Sequence, residues 1–104
     1  MNHRKIFEID LRVDFGQSSR LQYQKRLMVE QGSTAKDVLS QAFPVLSGKT
    51  CCSTREVLGV NGIKTNPIKK LWWKCFINGD GRKVSPYRTK LKPGDLIEWK
   101  YIAT

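Results

Sequence analysis

The sequence predicts an α+β fold in which one amphipathic helix packs on one face of a mixed sheet. Three observations indicate it: apolar and polar residues alternate in two opening runs, one later segment has helical periodicity, and two strand-like runs beside turn residues close the chain. With 104 residues, the chain has the length of one domain that buries a single core. We therefore expect one domain over residues 1–104, with residues 1–4 frayed.

The two opening runs are predicted to form a hairpin. Residues 5–15 carry an apolar side chain at every second position, which is typical of a half-buried strand. A polar turn at residues 16–19 leads to a second run at residues 21–29, whose alternation changes phase near residues 25–27. We expect a β-bulge at this phase change.

A single helix is predicted after the hairpin. Its apolar residues are spaced by three and four, which places them on one helical face: Ala35, Val38, Leu39, Ala42 and Phe43. Thr34 and Asp37 resemble a capping box, and Pro44 ends the helix at or before residue 43. A hairpin followed by one such helix is the first half of a β-grasp chain order.

The middle of the chain is predicted to be a loop and a short hairpin. Residues 46–54 are polar and include two adjacent cysteines, so we expect an ordinary loop there. Residues 55–60 read as a short strand, and Asn61-Gly62 is the strongest hairpin-turn signal in the chain. Residues 63–65 should then fold back on this strand, and Asn66-Pro67 should end the run.

Two strand-like runs, at residues 71–77 and 96–101, complete the predicted sheet. Asn78-Gly79 turns the chain after the first, and Lys92-Pro93-Gly94-Asp95 forms a tight turn before the second. Alternation predicts these buried side chains: Trp73, Cys75, Ile77, Ile97, Trp99 and Tyr101. The other side of the first run is left as an exposed or shallow aromatic surface: Trp72, Lys74 and Phe76.

The formal net charge of +10, from 19 basic and 9 acidic residues, makes polyanions the first partners to consider. The basic residues are scattered, however, so a merely solubilising surface is an equally open interpretation. No segment has the hydrophobic length of a signal peptide or a membrane helix. We therefore expect a cytoplasmic protein without a membrane span.

The cysteines do not form a disulfide or metal pattern. Cys51, Cys52 and Cys75 cannot all pair internally, which indicates reduced thiols. The only histidine, His3, lies in the frayed terminus, and the adjacent cysteines lack the two-residue spacer of zinc sites. We expect neither a metal nor another cofactor.

The last third of the sequence resembles a known family. Residues 72–73, 76–79 and 91–99 read Trp-Trp, Phe-Ile-Asn-Gly and Leu-Lys-Pro-Gly-Asp-Leu-Ile-Glu-Trp. This set is similar to the small β-grasp domains related to the C-terminal domain of transcobalamin and intrinsic factor. That family includes many bacterial domains of unknown function and is related to soluble-ligand-binding β-grasp domains. The order of strands and helix extends a weaker match over nearly the whole chain.

The resemblance implies a β-grasp sheet with the helix packed on one face. In the cobalamin carriers this domain helps to cover a bound corrinoid, together with a large helical domain that these 104 residues do not include. We therefore do not expect this chain alone to bind cobalamin. A ubiquitin-like sulfur carrier would end in Gly-Gly, whereas this sequence ends in Tyr-Ile-Ala-Thr, which excludes that activity.

The sequence favours a binding function over catalysis. It has no usable histidine, glycine-rich phosphate loop or Cys-His pair, so we expect no enzyme. We expect a small binding or adaptor module that engages a ligand or partner protein through an aromatic and basic face or a sheet edge. The alternative is a domain that binds single-stranded nucleic acid or RNA with the same surface. The candidate contact residues are Trp72, Lys74, Phe76, Lys69, Lys70, Arg82, Lys83, Tyr87 and Arg88.

Overall fold

The computed structural model of the protein describes residues 5–16, 22–49, 55–81 and 85–103. Within these ranges the chain forms seven strands and one helix. They are β1 (Ile6–Asp14), β2 (Gln22–Glu30), α1 (Ala35–Ala42), β3 (Val45–Lys49), β4 (Arg55–Val60), β5 (Ile63–Lys64), β6 (Leu71–Ile77) and β7 (Leu96–Ala103). Arg82, Lys83, Cys51 and Cys52 lie outside the described residues.

The described strands form two sheets. The larger sheet has the order β2-β1-β7-β6, with β1 parallel to β7 and the other neighbours antiparallel. A second, three-stranded sheet has the order β3-β4-β5. The fold is therefore mostly β with one short helix and a mixed main sheet, in agreement with the predicted α+β class.

The opening hairpin is confirmed, but the predicted bulge is wrong. The pairing of β1 with β2 runs without a shift from Ile6 opposite Glu30 to Asp14 opposite Gln22. Lys25 lies in the inward-facing phase of β2 but is exposed. Because β2 is at the edge of the described sheet, a lysine at such a position can extend its amine into solvent past the sheet. The apparent change of phase in the sequence is thus caused by one polar residue, Lys25, in a regular strand.

The helix has the predicted ends and the predicted capping box. The Asp37 main-chain N–H donates to the Thr34 hydroxyl at 3.4 Å, and the Thr34 main-chain N–H donates to the Asp37 carboxylate at 3.0 Å. The helix ends at Ala42, two residues before Pro44. Its buried face consists of Ala35, Val38 and Leu39.

The predicted loop at residues 46–54 is wrong in its first part, because β3 continues to Lys49. This strand pairs with β4 from Val45 opposite Val60 to Lys49 opposite Arg55, with an irregularity between residues 46 and 47. Gly48 has a packing role that its sequence context did not indicate. A Cβ at this position would overlap the end of the Leu58 side chain, which would have to move. The polar residues of β3 therefore belong to an outer strand of the second sheet.

The buried positions of the last two strands agree with the prediction. Ile97, Trp99 and Tyr101 of β7 are buried, as are Trp73 and Cys75 of β6, while Ile77 is half-buried. Together with alternate residues of β1 and the buried face of α1, they form one hydrophobic core. No helix in the described ranges is long and apolar enough to cross a membrane.

The turns that bound these strands also have the predicted chemistry. Asn78 and Gly79 both have positive φ, 52° and 83°, as an Asn-Gly hairpin turn requires. Gly94 has a φ of 81° after Pro93, which is the expected left-handed position of a type II turn. The Asp95 carboxylate joins the two turns, since it accepts from the side-chain amide of Asn78 at 2.9 Å and from the main-chain N–H of Lys92 at 2.8 Å.

Candidate ligand cleft

A cleft of about 1040 Å³ lies along β6. It is lined by Glu56 and Val57 of β4, residues 72–76 of β6, residues 78–81 of the following turn, Pro86 and Trp99. We call this feature the β6 cleft. Its wall thus combines β6, the turn after it and Trp99 of β7 with β4 of the second sheet, so both sheets contribute to the cleft.

One edge of β6 is open towards this cleft. In the antiparallel ladder with β7, alternate residues direct their main-chain groups away from the partner strand. At the ends of this edge, Leu71 exchanges hydrogen bonds with Asn66 and Ile77 with Asp80, all of 2.9–3.0 Å. The main-chain groups of Trp73 and Cys75 point to the same edge of β6 as those of Leu71 and Ile77. Among the described residues, the N–H and C=O groups of Trp73 and Cys75 have no main-chain partner on this edge.

Phe76 forms an aromatic wall whose position depends on Gly81. A Cβ at Gly81 would lie 2.7 Å from two atoms of the Phe76 ring and 3.3 Å from the carbonyl oxygen of Cys75. The glycine therefore lets the ring lie directly against the turn. The Lys100 ammonium lies 5.1 Å from the ring centroid, a cation–π contact, and 3.8 Å from a carboxylate oxygen of Glu98.

The three tryptophans have different environments. Trp73 and Trp99 are 7% and 1% exposed, and their indole N–H groups donate to main-chain carbonyls of Ile63 at 2.8 Å and Ala35 at 3.4 Å. Both are core residues, as predicted. Trp72 is half-buried on the opposite side of β6. It is the tryptophan of this strand that offers surface to a ligand.

Cys75 lines the cleft but is not a reactive thiol. Its side chain is 8% exposed, and desolvation by burial raises the pKa of the thiol from 9.0 to about 12. A thiol nucleophile must ionise near neutral pH, so this group stays protonated and acts as a small apolar residue.

We expect the stability of the wild type to fall more steeply above pH 9 than that of Cys75→Ala. Between the ordinary pKa of 9.0 and the raised value of about 12, the unfolded chain loses the proton of Cys75 while the folded chain keeps it. The unfolded state therefore gains about 1.4 kcal/mol per pH unit in this window from this group. Urea denaturation of both proteins across the window measures the difference, and the other cysteines cancel because both proteins have them. Parallel stability curves would show that this thiol ionises normally in the fold.

The structure does not bring all the predicted contact residues together. Lys69 and Lys70 are exposed in the loop before β6, and Lys74 is exposed in the middle of the strand. Tyr87 is half-buried and its hydroxyl donates to Ser47 of β3 at 2.5 Å, with the exposed Arg88 beside it. The described members therefore lie in separate places along β6 and next to β3.

The described residues do not form the row of free aromatic faces that single-strand binders use. Such proteins stack bases on free aromatic faces above a basic groove. Here the Lys100 ammonium already occupies one face of Phe76, and Trp72 is half-buried. Nucleic-acid binding stays a prediction that no comparison supports.

Several lining residues were not among the sequence candidates. Gly81 and Asp80 belong to the Asn-Gly-Asp-Gly turn, so the turn signal after β6 could have indicated them. Glu56, Val57 and Pro86 come from distant parts of the chain, and no local pattern links them to β6. In the described ranges, no three His, Cys, Asp or Glu side chains are grouped so that they could hold a metal ion.

Comparison with solved structures shows the same fold in two proteins. Haptocorrin, solved in complex with Cbi, matches 98% of this chain with a TM-score of 0.70 and 15% identity, and this chain spans 27% of haptocorrin. A suggested metal binding protein from Ruminococcus gnavus ATCC 29149 matches 94% of this chain with a TM-score of 0.70 and 18% identity, over 98% of its own length. The first match agrees with the transcobalamin-like resemblance at the level of the fold.

The family comparison is more direct. A search of the curated proteins found no match. The sequence pattern of a domain of unknown function, DUF4430, matches residues 32–103, which include the helix and all the strands from β3 to β7. Since this is well over half of the 104 residues, the chain belongs to the DUF4430 family.

Proposed function

We propose that this domain is a non-enzymatic binding module that holds a small ligand in the β6 cleft. One observation carries the proposal: the cleft combines an aromatic wall with main-chain hydrogen-bonding groups of Trp73 and Cys75 that lack a partner among the described residues. Ligand sites are concave and mostly apolar, with a few polar groups that fix orientation, and typically measure about 300–1,000 Å³. The cleft, at about 1040 Å³, has this character and lies just above that range.

The chemistry of the wall indicates the kind of ligand. The face of the Phe76 ring that Lys100 leaves open and the exposed part of Trp72 offer apolar surface to a flat molecule. The open edge of β6 offers donors and acceptors in one line. Charges of both signs line the cleft, from Lys74 on one side and Glu56 on the other. A compact ligand with a flat apolar body and hydrogen-bonding groups along one edge fits this arrangement.

The structural neighbours support a ligand-binding role without identifying the ligand. One was solved with the ligand Cbi, and metal binding has been suggested for the other. At 15% and 18% identity these likenesses concern the fold, so neither ligand is transferred to this chain. Burial raises the pKa of the Cys75 thiol to about 12, so this thiol provides no nucleophile in the cleft.

We infer in addition that the main sheet is a β-grasp. Its first two strands form a hairpin, the helix follows, and the last strand lies parallel to the first in the centre of the sheet. This is the chain order that the sequence predicts. The second sheet, β3-β4-β5, is then an insertion between the helix and β6 that supplies the far wall of the cleft.

The aromatic dye 8-anilinonaphthalene-1-sulfonate is a suitable probe of the cleft. We expect it to gain fluorescence with the wild type and to bind about tenfold more weakly to Phe76→Ala, which removes the aromatic wall. The measurement is a fluorescence titration, read both directly and by energy transfer from tryptophan. Circular dichroism shows whether each variant remains folded.

Two further variants make the result specific. Gly81→Ala should also weaken dye binding, because the added methyl group displaces the Phe76 ring without removing it. Met28→Ala is the matched control, since Met28 is 55% exposed on β2, a different strand of the sheet. Equal dye binding by wild type, Phe76→Ala and Gly81→Ala would contradict the proposed site.

A further inference from the structure

The loop between β5 and β6 presents an apolar side chain to solvent. Ile68 is 94% exposed, more than the other exposed large hydrophobic residues of the described ranges. Exposure of this extent is unusual for an isoleucine, whose burial is favoured in proportion to its apolar area. Ile68 is not part of the β6 cleft.

The loop is held in this shape by its own hydrogen bonds. Asn66 and Leu71 exchange two main-chain bonds of 2.9 Å, and the Asn66 side chain accepts from the main-chain N–H of Lys69 at 3.1 Å. Lys70 donates its main-chain N–H to the carbonyl of Pro67 at 3.2 Å and has a φ of 56°. A lysine rarely adopts this left-handed backbone. The closed turn therefore fixes Ile68 at its tip.

The surroundings of the tip are basic. Residues 61–75 contain four lysines and no carboxylate: Lys64, Lys69, Lys70 and Lys74. The next carboxylate in the chain, Asp80, follows the far end of β6, a seven-residue strand of about 20 Å. On β1, Asp14 lies opposite Lys100 of β7. The Asp14 carboxylate accepts a hydrogen bond from the main-chain N–H of Gly16. The loop that carries Ile68 thus has basic side chains and no acidic one, while Lys74 also lines the β6 cleft together with Glu56.

We propose that the Ile68 loop is a docking site for an anionic lipid surface. A protruding isoleucine can enter the acyl boundary of a bilayer, while the flanking lysines extend along it and place their ammonium groups at the phosphates. Trp72 lies across from Ile102 near the same end of β6, and indole rings favour the membrane interface. A protein partner would need a pocket shaped for the Ile68 side chain, whereas a lipid surface can accept this side chain without such a pocket.

The forces involved predict a weak and reversible contact. One isoleucine buries little apolar area, and each lysine near an anionic surface contributes about fivefold in binding. Attachment should therefore require anionic lipid and decrease with added salt. This inference does not require the function proposed for the β6 cleft, although Trp72 and Lys74 line that cleft as well.

Sedimentation with vesicles tests the site. We expect the wild type to pellet with vesicles of phosphatidylcholine and phosphatidylserine but not with phosphatidylcholine alone. Ile68→Ser should weaken binding about tenfold, and Lys69→Gln with Lys70→Gln about 25-fold. Met28→Ser is the matched control, because it removes an apolar side chain that is 55% exposed on β2. It should bind as the wild type does.

Two outcomes would overturn the proposal. The first is absence of binding to anionic vesicles, which would leave a protein partner as the reason for the exposed isoleucine. The second is a headgroup contact without insertion, which either equal binding by wild type and Ile68→Ser or full competition by soluble glycerophosphoserine would show. Ile68→Ser should keep the thermal stability and the dye binding of the wild type, so failure at this loop and failure at the cleft are separate results.

Discussion

Trp99→Ala is expected to lower the free energy of unfolding by about 3–5 kcal/mol, the range found for large aromatic residues in cores. The side chain is 1% exposed on a central strand, and its indole N–H donates to the carbonyl of Ala35, the first residue of the helix. Its removal leaves a cavity between sheet and helix and removes the hydrogen bond from the indole to the Ala35 carbonyl. Urea denaturation followed by circular dichroism measures the loss.

Trp72→Ala is the matched control for this prediction. The same side chain is removed from the neighbouring antiparallel strand, but from its half-buried outer side. We expect a loss of about 1 kcal/mol, because the surrounding surface can remain hydrated and no cavity forms. Comparable losses for both substitutions would show that Trp72 belongs to the core, which would also remove it from the candidate site.

Asp95→Ala is expected to cost about 2–3 kcal/mol. This carboxylate is 9% exposed and accepts hydrogen bonds from Asn78 and Lys92, which lie in the turns beside β6 and β7. The substitution leaves two donors without a partner, and hydrogen bonds to a charged group are stronger than neutral ones. The loss should appear as a lower midpoint of urea denaturation.

Asp10→Ala provides the comparison. The Asp10 carboxylate accepts a bond of 3.4 Å from Arg26 on the exposed side of the hairpin. Exposed pairs of this kind contribute little, so we expect a change below about 0.5 kcal/mol. If Asp95→Ala cost no more than Asp10→Ala, the joined turns would not contribute to the stability of the sheet. The Asn78 side chain also accepts from the main-chain N–H of Leu96, so Asn78→Ala should have a similar effect to Asp95→Ala.

Features that depend on neighbouring residues could be predicted from the sequence. The capping box of Thr34 and Asp37 acts over three residues, and the Asn78-Gly79 turn over two. The alternation of β6 placed Trp72 and Trp73 on opposite sides, because successive side chains of a strand face opposite ways. In each case the physical cause lies within one turn or strand.

Features that depend on distant residues could not be predicted. Most of β3 was predicted to be a loop because its sequence is polar. The segment is a strand because its main chain pairs with β4, and this pairing cannot be seen in the local sequence. The open edge of β6 becomes a cleft only because β4 lies across from it. Likewise, Lys100 covers Phe76 from another strand, and Tyr87 bonds to Ser47, forty positions away in the chain.

The parallel pair of β1 and β7 has a consequence for how the protein is made. Leu11 pairs with Ile97, so the centre of the main sheet joins the first strand to the last. During synthesis, β1 and β2 must wait for β7 before the sheet can form, and such long-range pairing makes folding slow. The DUF4430 match begins at residue 32, after both opening strands. The main sheet therefore begins earlier in the chain than the family pattern does, and a fragment starting at residue 32 would lack a central strand.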